Sequence, residues 1–548
     1  MLASLVAAAL LTQGPGFLTA YVNDPQSHGV VGDSLLSLDE AIRLTNGTLL
    51  LAALSPAEQA RVLGTGTLFD TIRIDAAATP VITLQAPLSD VLGALSGPML
   101  IIGDTSGAMV RPTIQGGGQL RVFTLRAHGT MLHGRRVVGG QVGVDVRMAH
   151  VGTANPEMSM LMECELEGQT VAGVHVHGSG TDESWLMVLH THLHAMPLGF
   201  LLTDQTTGGH VMVEGEHVVM DQVVRGCSVL EGGAGGAMSM FMLFRSHFTN
   251  GQTLAVKRRT APGSQMFMFR LVHTDATCSG DVLDIEGSPT GLTMVHHHHG
   301  DFVAGPGQKA LHAWPRTSFF DIHGSEMRFV GDVSIATNLA TLRVWQQNNR
   351  YENGTVTYDV DGALPNLQWN QYVNCSVVVP ALARSPVVLR SCELVGTPVN
   401  SASFLAPVTL QGSYRSGGSL AGFASEVQPA PTAFLGRTSV TPTEPQIGGT
   451  LTLAADLPFG MGLVWDVADS YSRPTTTAEP FRLYGDPATL VVLPIMVLFQ
   501  SQVVVPIPNA PTLVGLEFYA QGIALPLVAM PHAPPFHLPR GGLIRPRL

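Results

Sequence analysis

Alternating histidines and glutamates are the densest group of potential metal ligands in this sequence. The chain contains 21 histidines, and His190, His192 and His194 occupy every second position. Alternate side chains of a β-strand leave the same face, so these three imidazoles are predicted to lie side by side. Imidazole nitrogens and carboxylate oxygens together bind Zn²⁺ and other divalent ions. The pattern therefore indicates metal binding on one face of a strand.

Glutamates recur at regular distances on either side of these histidines. The same offset towards the N-terminus leads from the three histidines to Glu163, Glu165 and Glu167, and a slightly shorter offset towards the C-terminus leads from His190 and His192 to Glu214 and Glu216. If the three segments are stacked strands about 4.8 Å apart, they form a Glu–His–Glu ladder. The ligands predicted for Zn²⁺ or Ca²⁺ are Glu163, His190, His192, Glu214 and Glu216.

Two alternatives to this metal site stay open. Alternation of carboxylate and imidazole also avoids like-charge stacking on an exposed sheet. A different alignment of the same segments instead stacks Cys164, His192, His217, His247 and His273.

Two further histidine runs follow the same logic. Only two members of the tetrad at 296–299 can share a strand face, so the tetrad chelates a metal only if it forms a turn. His175 and His177 form a second alternating pair, which is typical of an exposed strand face.

Regular spacing of short apolar strands predicts the elements that position these groups. Runs such as MLMECEL from residue 160, MVLHTHL from 187 and MFMLFR from 240 recur with a period of about 26 residues, separated by glycine-rich turns. Each run alternates with period two, as a strand does, and none extends into a helical pattern of ten or more residues. The period is too short for a β-propeller blade. It predicts a solenoid of parallel strands around a narrow core of Met, Phe, Val and Leu.

The N-terminal third specifies the kind of solenoid. Residues 34–46, SLLSLDEAIRLTN, are predicted to form a short amphipathic helix with Leu35, Leu38 and Ile42 on one face and Ser34 or Ser37 as the cap. The strand-like runs TIRID, VITL, MLIIG, TIQ and RVFTL follow it. Over residues 21–145 this series resembles the entry module of secreted bacterial right-handed parallel β-helix proteins. The resemblance implies a helix that covers the first coil.

The C-terminal part follows a different pattern. Residues 429–446 are predicted to be a proline-rich linker, residues 447–525 a small antiparallel β-module, and residues 526–548 a disordered tail. The string IPNAPTLVGLEFYAQG at 507–522 is similar to a C-terminal module of large secreted bacterial proteins. The fold class predicted for the whole chain is all-β. It comprises a right-handed parallel β-helix (cap and first coils at 21–145, body at 146–428), an N-terminal helical cap and this C-terminal domain.

The composition and the first residues of the chain limit the locations and partners that we expect for the protein. The formal net charge is -12 and the charged fraction is 13%, without a basic cluster, which excludes nucleic acid as a partner. The apolar run within residues 1–20 has the length of a signal-peptide core, and no segment is predicted to span a membrane. We therefore expect secretion or display at the cell surface. Five cysteines without a CxxC pair exclude a disulfide framework and leave open a single Cys375–Cys392 pair.

Comparison with carbohydrate-active β-helix enzymes supplies the catalytic candidates. The resemblance implies clustered carboxylates with an Arg or Lys base on one solvent-facing sheet, sometimes with Ca²⁺. The candidates that match are Asp275, Asp281, Asp284 and Asp301 on adjacent coils, with Arg258 one coil earlier beside Lys257 and Arg259. The chain has no nucleophile elbow, P-loop or dinucleotide fingerprint.

These observations lead to three functional hypotheses. The first is a secreted or cell-surface β-helix scaffold that acts structurally, in adhesion or in glycan binding, with a polysaccharide or cell-surface component as its partner. The second is a polysaccharide lyase or glycoside hydrolase that uses the Asp275–Asp301 coils. The third is a surface protein that binds divalent metal ions. The sequence leaves the oligomeric state open.

Overall fold

The protein is an all-β chain whose strands stack in parallel, as a parallel β-helix requires. The computed structural model describes residues 17–28, 31–64, 69–76, 79–92, 99–104, 111–126, 129–148, 158–181, 183–232, 238–259, 266–338, 343–362, 365–427, 429, 437–441, 446, 448–456, 461–468, 491–498, 502–507, 509, 518–526 and 542–544. The chain divides into two compact units, residues 1–344 with 359–363 and residues 345–358 with 364–548. The first unit carries the candidate sites.

In the first unit, the coils contribute strands to three parallel sheets, which we call faces one, two and three. The strands of face one are Phe17–Val22, Phe69–Asp75, Met99–Asp104, Met131–His133, Ser159–Met162, Glu183–Leu189, His210–Glu216, Met238–Phe244, Met266–Val272 and the first halves of Leu292–Val303 and Phe319–Val330. Those of face two are Gln26–Ser27, Val81–Leu84, Thr113–Gly117, Arg136–Gly139, Glu165–Glu167, the first parts of His192–Thr206 and Val219–Glu231, His247–Gly251, Asp275–Cys278 and the second halves of Leu292–Val303 and Phe319–Val330. Those of face three are Arg121–Leu125, Val142–Val146, Ala172–Gly180, the last parts of His192–Thr206 and Val219–Glu231, Thr253–Arg259, Leu283–Glu286, Lys309–Trp314 and Asp332–Ala336.

The strand register fixes the coil length. On face one, Leu161 pairs with Val188, Val188 with Gly215, and Gly215 with Leu243, so successive coils are almost equal in length. Inward positions along this column are buried, because alternate residues of a strand point to opposite sides of the sheet. The prediction of a parallel β-helix with a period near 26 is confirmed for this unit.

Left-handed residues stack where face one turns into face two. Each has a positive φ, which residues other than glycine adopt only at a steric cost. The stack contains Gly134, Glu163, His190, His217, Arg245, His273, His299 and Glu326. Backbone hydrogen bonds link members of this stack to the residue before the counterpart on the next coil, from Glu163 N to Leu189 O and from His190 N to Glu216 O. We call this column the corner ladder.

A short helix covers the N-terminal end, as the resemblance implied. It spans Leu38–Thr45 and is shorter than the predicted 34–46, because Ser37 caps it: the Ser37 hydroxyl accepts from Glu40 N at 3.3 Å, and the Glu40 carboxylate accepts from Ser37 N at 2.8 Å. Leu38 and Ile42 are buried, whereas Leu35 precedes the helix and is exposed. A 3₁₀ turn, Leu51–Ala53, and a one-turn helix, Pro56–Gln59, follow, and Val62–Gly64 pairs antiparallel with Phe17–Val22.

The second unit contains shorter coils and two antiparallel sheets. Its parallel strands are Arg343–Gln347, Arg350–Glu352, Thr355–Asp359, Asn366–Gln368, Gln371–Val373, Ser376–Val379, Val387–Arg390, Glu393–Val395, Val399–Ser401, Val408–Gln411, Tyr414–Ser416, Leu420–Gly422 and Ala424–Val427. Leu367 pairs with Leu389 and Leu389 with Leu410, so these coils are shorter than those of the first unit. One antiparallel sheet comprises Arg437–Thr441, Thr450–Asp456 and Gln502–Pro506, and the other comprises Met461–Ala468, Val491–Leu498, Phe518–Pro526 and Gly542–Ile544.

Several predicted segments fall partly outside the described residues. Residues 1–16 of the signal-like segment lie outside them, and the strand Phe17–Val22 begins within that segment. Most of the predicted linker 429–446 and most of the tail 526–548 also lie outside, although Arg437–Thr441 is a strand within the linker range. In the part of the chain that is described, no helix has the length and apolar character needed to cross a bilayer.

The predicted core composition is wrong for the described methionines of face one, although it holds for Met148, Met196, Met220 and Met327, which are buried. The inward side chains of face one are mainly Leu, Val and Phe, including Phe241 and Phe269, whose rings lie 5.9 Å apart. The methionines of these strands whose side chains are described point outwards and are half-buried. Period-two alternation shows which residues share a side of a strand, but two apolar sides leave the inward side undetermined.

One buried cation lies inside the coils without a hydrogen-bond partner. The Arg135 side chain is fully buried, and none of its three guanidinium nitrogens forms a hydrogen bond within the described part of the chain. Burial lowers the Arg135 pKa to about 9, against the opposing charge interaction with Cys164. An unpaired buried charge costs several kcal/mol.

We therefore expect Arg135→Met to stabilise the protein by about 2 kcal/mol, measured by urea denaturation at pH 7. The folded-state pKa lies below the ordinary value of 12.5. The free-energy cost of burying the charged Arg135 is therefore largest below pH 9 and decreases as the pH rises above that value. The gain from the substitution should shrink at pH 10. Arg390→Met, at an exposed position, is the control. A loss of stability in Arg135→Met would show that the guanidinium has a partner inside the coils.

Candidate functional site

The strand register separates the five predicted metal ligands. Glu163 and His190 belong to the corner ladder, whereas His192 lies on face two. Glu214 and Glu216 lie on face one, where they pair with Met187 and Leu189 instead of His190 and His192. The predicted forward offset is wrong because the true coil is longer than that offset, and the side chains leave different faces.

Part of the glutamate–histidine ladder is nevertheless confirmed. Glu165 pairs with His192 and Glu167 with His194 on face two, as the offset towards the N-terminus predicted. On the following coil His194 meets Asp221, with His194 Nδ1 and Asp221 Oδ2 3.5 Å apart, and His192 meets Val219.

The competing alignment is also wrong. It placed His217 and His273 in one column with His192, but both residues lie in the corner ladder. There His217 stacks on His190, with 4.7 Å between ring centroids.

The histidine tetrad divides between three environments. His296 and His298 point outwards, so two of the four share a face as predicted. His297 is fully buried, 5.4 Å from the Phe329 ring, and His299 occupies the corner ladder 2.9 Å from the Glu326 carboxylate.

The alternating pair His175 and His177 lies on face three. His175 bridges the Asp145 carboxylate at 3.0 Å and the Thr203 hydroxyl at 3.1 Å. These protein partners explain the placement of His175 without a metal ion.

The catalytic candidates also divide into two sets. Asp275 and Asp301 lie on face two, where Asp275 Oδ2 is 3.5 Å from His247 Nδ1 and Asp301 is 3.7 Å from Arg328. Asp281, Asp284 and Arg258 instead line one groove on face three, with a volume of about 490 Å³. The structure therefore brings together three of the five candidates.

The groove runs across four coils. Arg225, Thr253, Asp281 and Gln308 come from successive coils at the corner that leads into face three. Coils about 4.8 Å apart give this row a length of about 14 Å. Hydroxyl, amide and backbone groups make most of the remaining lining, which also includes Leu230 and Val256 and is predominantly polar: Ser228, Gln252, Ser279 and Gly280. An elongated polar groove along the stacking direction suits an extended polar ligand.

Asp284 is held as a carboxylate by three donors. Its oxygens accept hydrogen bonds from His312 Nδ1 at 3.1 Å, from Trp314 Nε1 at 2.7 Å and from the Arg258 guanidinium. Burial opposes ionisation of Asp284, but these hydrogen bonds outweigh it and hold the pKa well below its usual range. A general acid in glycoside hydrolysis needs a raised pKa, so Asp284 is unsuited to that role.

The two arginines of the groove differ in the contacts that they make within the protein. Arg258 also donates to the backbone oxygens of Lys257 and Asp284 and lies over the Trp314 ring at 5.4 Å. Arg225 is half-buried in the groove wall, and its guanidinium forms no ion pair with the described residues. Sequence reasoning missed Arg225, because nothing in its local sequence places it beside Asp281. Arg225 is therefore the cationic group of the groove that a ligand meets.

Lys257, which sequence reasoning placed beside Arg258, faces the interior. Its ammonium group is 2.6 Å from the Glu231 carboxylate and donates to Glu286 O at 3.0 Å, and both charged side chains are buried. Burial lowers the pKa of Lys257, and Glu231 opposes that shift. Lys257 thus stabilises the strand below the groove and does not reach the groove itself.

Face one carries a second feature that sequence reasoning missed. Met212, Met240, Met268 and Met294 stack directly on four successive coils, and all four are half-buried on the outer side. Further outward methionines flank this column: Met160, Met162, Met187, Met238, Met242 and Met266. Flexible thioether side chains make an adaptable apolar surface.

Comparisons with known proteins add no identity. No protein-family model matches the chain, and no curated protein matches it.

The bonding of Asp284 makes a testable prediction. Asp284→Asn should lower the free energy of unfolding by about 2 kcal/mol at pH 7, because a buried charge-assisted network is lost. The depressed folded-state pKa means that this stability is complete above the ordinary value of 3.8 and is lost as the pH falls below it. Urea denaturation at pH 7 and pH 3 measures both effects.

The matched control for this prediction is Asp301→Asn. Its ion pair with Arg328 is longer and more exposed, so the loss should stay below about 0.5 kcal/mol. Equal losses of unfolding free energy in the two variants at pH 7 would contradict a stabilising role of the hydrogen bonds around Asp284.

Proposed function

We propose that the protein is a secreted or cell-surface β-helix scaffold that binds an acidic polysaccharide in the groove on face three. The observation that carries the proposal is the position of the Arg225 guanidinium, half-buried and without an ion pair among the described residues, in a wall lined by hydroxyl and amide groups. A guanidinium recognises a carboxylate or sulfate through paired hydrogen bonds. The polar lining provides donors and acceptors for sugar hydroxyls.

The carboxylates of the groove favour binding over catalysis. Asp284 is saturated by three donors, and Asp281 Oδ1 accepts a hydrogen bond from Lys309 N at 2.7 Å. A lyase or hydrolase needs a carboxyl or basic group that is free to exchange a proton with the substrate. Arg258 neutralises the Asp284 carboxylate, so we infer that Arg258 and Asp284 shape the groove and do not take part in proton transfer.

Binding is tested with oligogalacturonate by isothermal titration calorimetry on the whole protein. We expect micromolar binding that weakens at least tenfold in Arg225→Gln, because the amide keeps the polarity but loses the charge and one side of the paired hydrogen bond. Arg390→Gln, at an exposed position in the second unit, should bind as the unaltered protein does. A neutral oligosaccharide of equal length should bind more weakly than oligogalacturonate.

The same samples separate binding from catalysis. Unsaturated uronate products, followed by ultraviolet absorbance, or new reducing ends would favour the lyase or hydrolase hypothesis and contradict a purely binding groove. Equal affinity in Arg225→Gln and the unaltered protein would remove the groove as the binding site.

A further inference from the structure

Three potential metal ligands converge beside the N-terminal cap, away from every site that the sequence indicated. His28 Nε2 is 3.7 Å from Asp24 Oδ2 and 3.3 Å from Asp33 Oδ2, and one donor atom from each residue lies within 4.8 Å of the other two. Among the described residues, this is the one group of three such side chains with that spacing. We call it the cap triad.

One oxygen of the buried carboxylate in the cap triad lacks a hydrogen bond among the described residues. The Asp24 side chain is 4% exposed, and its Oδ2 atom forms no hydrogen bond within the described part of the chain. The other oxygen, Oδ1, accepts from Gln26 N at 2.8 Å, which turns Oδ2 towards His28. A buried carboxylate oxygen without a hydrogen bond is costly unless a cation neutralises it.

The surroundings of the cap triad hold its ligands in position. Asp33 Oδ1 accepts from Leu35 N at 3.1 Å, while the Glu58 carboxylate accepts from Gly32 N at 3.1 Å and from Asp33 N at 3.0 Å. Each aspartate therefore uses one oxygen locally and directs the other to His28. Hydrogen bonds of this kind orient metal ligands and increase affinity.

We propose that the cap triad binds a divalent transition-metal ion of the Zn²⁺ class through His28 Nε2 and one oxygen each from Asp24 and Asp33. An imidazole nitrogen with two carboxylates is a ligand set for Zn²⁺, whereas Ca²⁺ takes six to eight oxygens. Three protein ligands leave a position for water. Closing of the three side chains by about 1 Å each brings the donor atoms to metal-binding distances of about 2 Å.

The bound ion has a structural role in the cap. Asp24 follows the first strand, and Asp33 precedes the capped helix. Between Asp33 and the helix, Leu36 O accepts from Asn23 N at 3.1 Å and from Asp24 N at 3.3 Å. A metal held by both aspartates ties the start of the first coil to the entrance of the helix. Metal binding to the folded state alone stabilises that state.

A protonated His28 is the competing occupant, since an imidazolium between two carboxylates forms an ion pair with each. The two occupants respond differently to added metal. A metal site gains stability on addition of Zn²⁺, whereas a site that keeps its imidazolium does not bind Zn²⁺ and leaves the stability unchanged.

The test uses the full chain after treatment with EDTA, with Zn²⁺ and Co²⁺ as probes. Because the protein has 21 histidines, calorimetry will detect several weak Zn²⁺ sites, and the cap triad should be the tightest. His28→Gln and Asp33→Asn should each weaken Zn²⁺ binding at the cap triad at least tenfold, so that one equivalent of tightly bound Zn²⁺ is lost. They should also abolish a rise of several degrees in the melting temperature. Co²⁺ should give visible absorption bands that are lost in the same variants.

The control is His247→Gln. His247 also faces a carboxylate, Asp275, at 3.5 Å, but this pair lacks a third ligand at triad spacing among the described residues. This variant should keep the tight site. Asp24→Asn is the strictest variant, and His28→Gln and Asp33→Asn decide the question if it fails to fold, since both residues are more exposed. Unchanged Zn²⁺ stoichiometry and melting temperature in these two variants would overturn the proposal and leave the imidazolium as the occupant.

Discussion

The structure depends on in-register hydrogen bonding between successive coils. Each strand of the parallel coils pairs with the equivalent strand one coil away. The position of a residue in that register therefore determines both the neighbours of its side chain and whether the side chain points inwards. A shift by one residue would exchange the buried and outward sides of every strand. The apolar side chains of Leu, Val and Phe in the interior fix the inward side, and all candidate sites follow from that choice.

The register also explains how so few charges are arranged. Some outward columns pair opposite charges on adjacent coils, as in Glu165 with Arg136 at 3.3 Å and Glu167 with the same guanidinium. Inside, the charged groups Lys257 and Glu231 form a buried pair at 2.6 Å, while Arg135 lacks such a partner among the described residues. Mutual attraction offsets the desolvation cost of the Lys257–Glu231 pair, whereas Arg135 has no such offset from the described residues.

Much of the fold could be predicted from the sequence, because it depends on local patterns. Period-two alternation, the regular recurrence of apolar runs and the Ser37–Glu40 capping pair are all readable in the sequence, and each appears in the structure. The site could be predicted only in part. Asp281, Asp284 and Arg258 lie on neighbouring coils, so proximity in the sequence is enough to group them. Arg225, a further coil away, required the register.

The errors have two physical causes, coil length and the apolar character of face one. The step assumed from His190 to Glu214 is shorter than the true coil, which pairs Met187 with Glu214. His190 therefore stays in the corner ladder while Glu214 lies on face one. Both sides of the strands on face one are apolar, and alternation therefore could not show that methionine lies outside and phenylalanine inside. Coil length and corner position are set by stacking between distant residues.

Disulfide trapping tests the register most directly. The five native cysteines are buried, which keeps the background low. Met187→Cys with Glu214→Cys should crosslink on mild oxidation, because these residues pair on adjacent strands at a Cα separation within disulfide range. His190→Cys with Glu214→Cys should stay reduced. Crosslinking of the second pair and not the first would contradict the register, and with it the arrangement of every face.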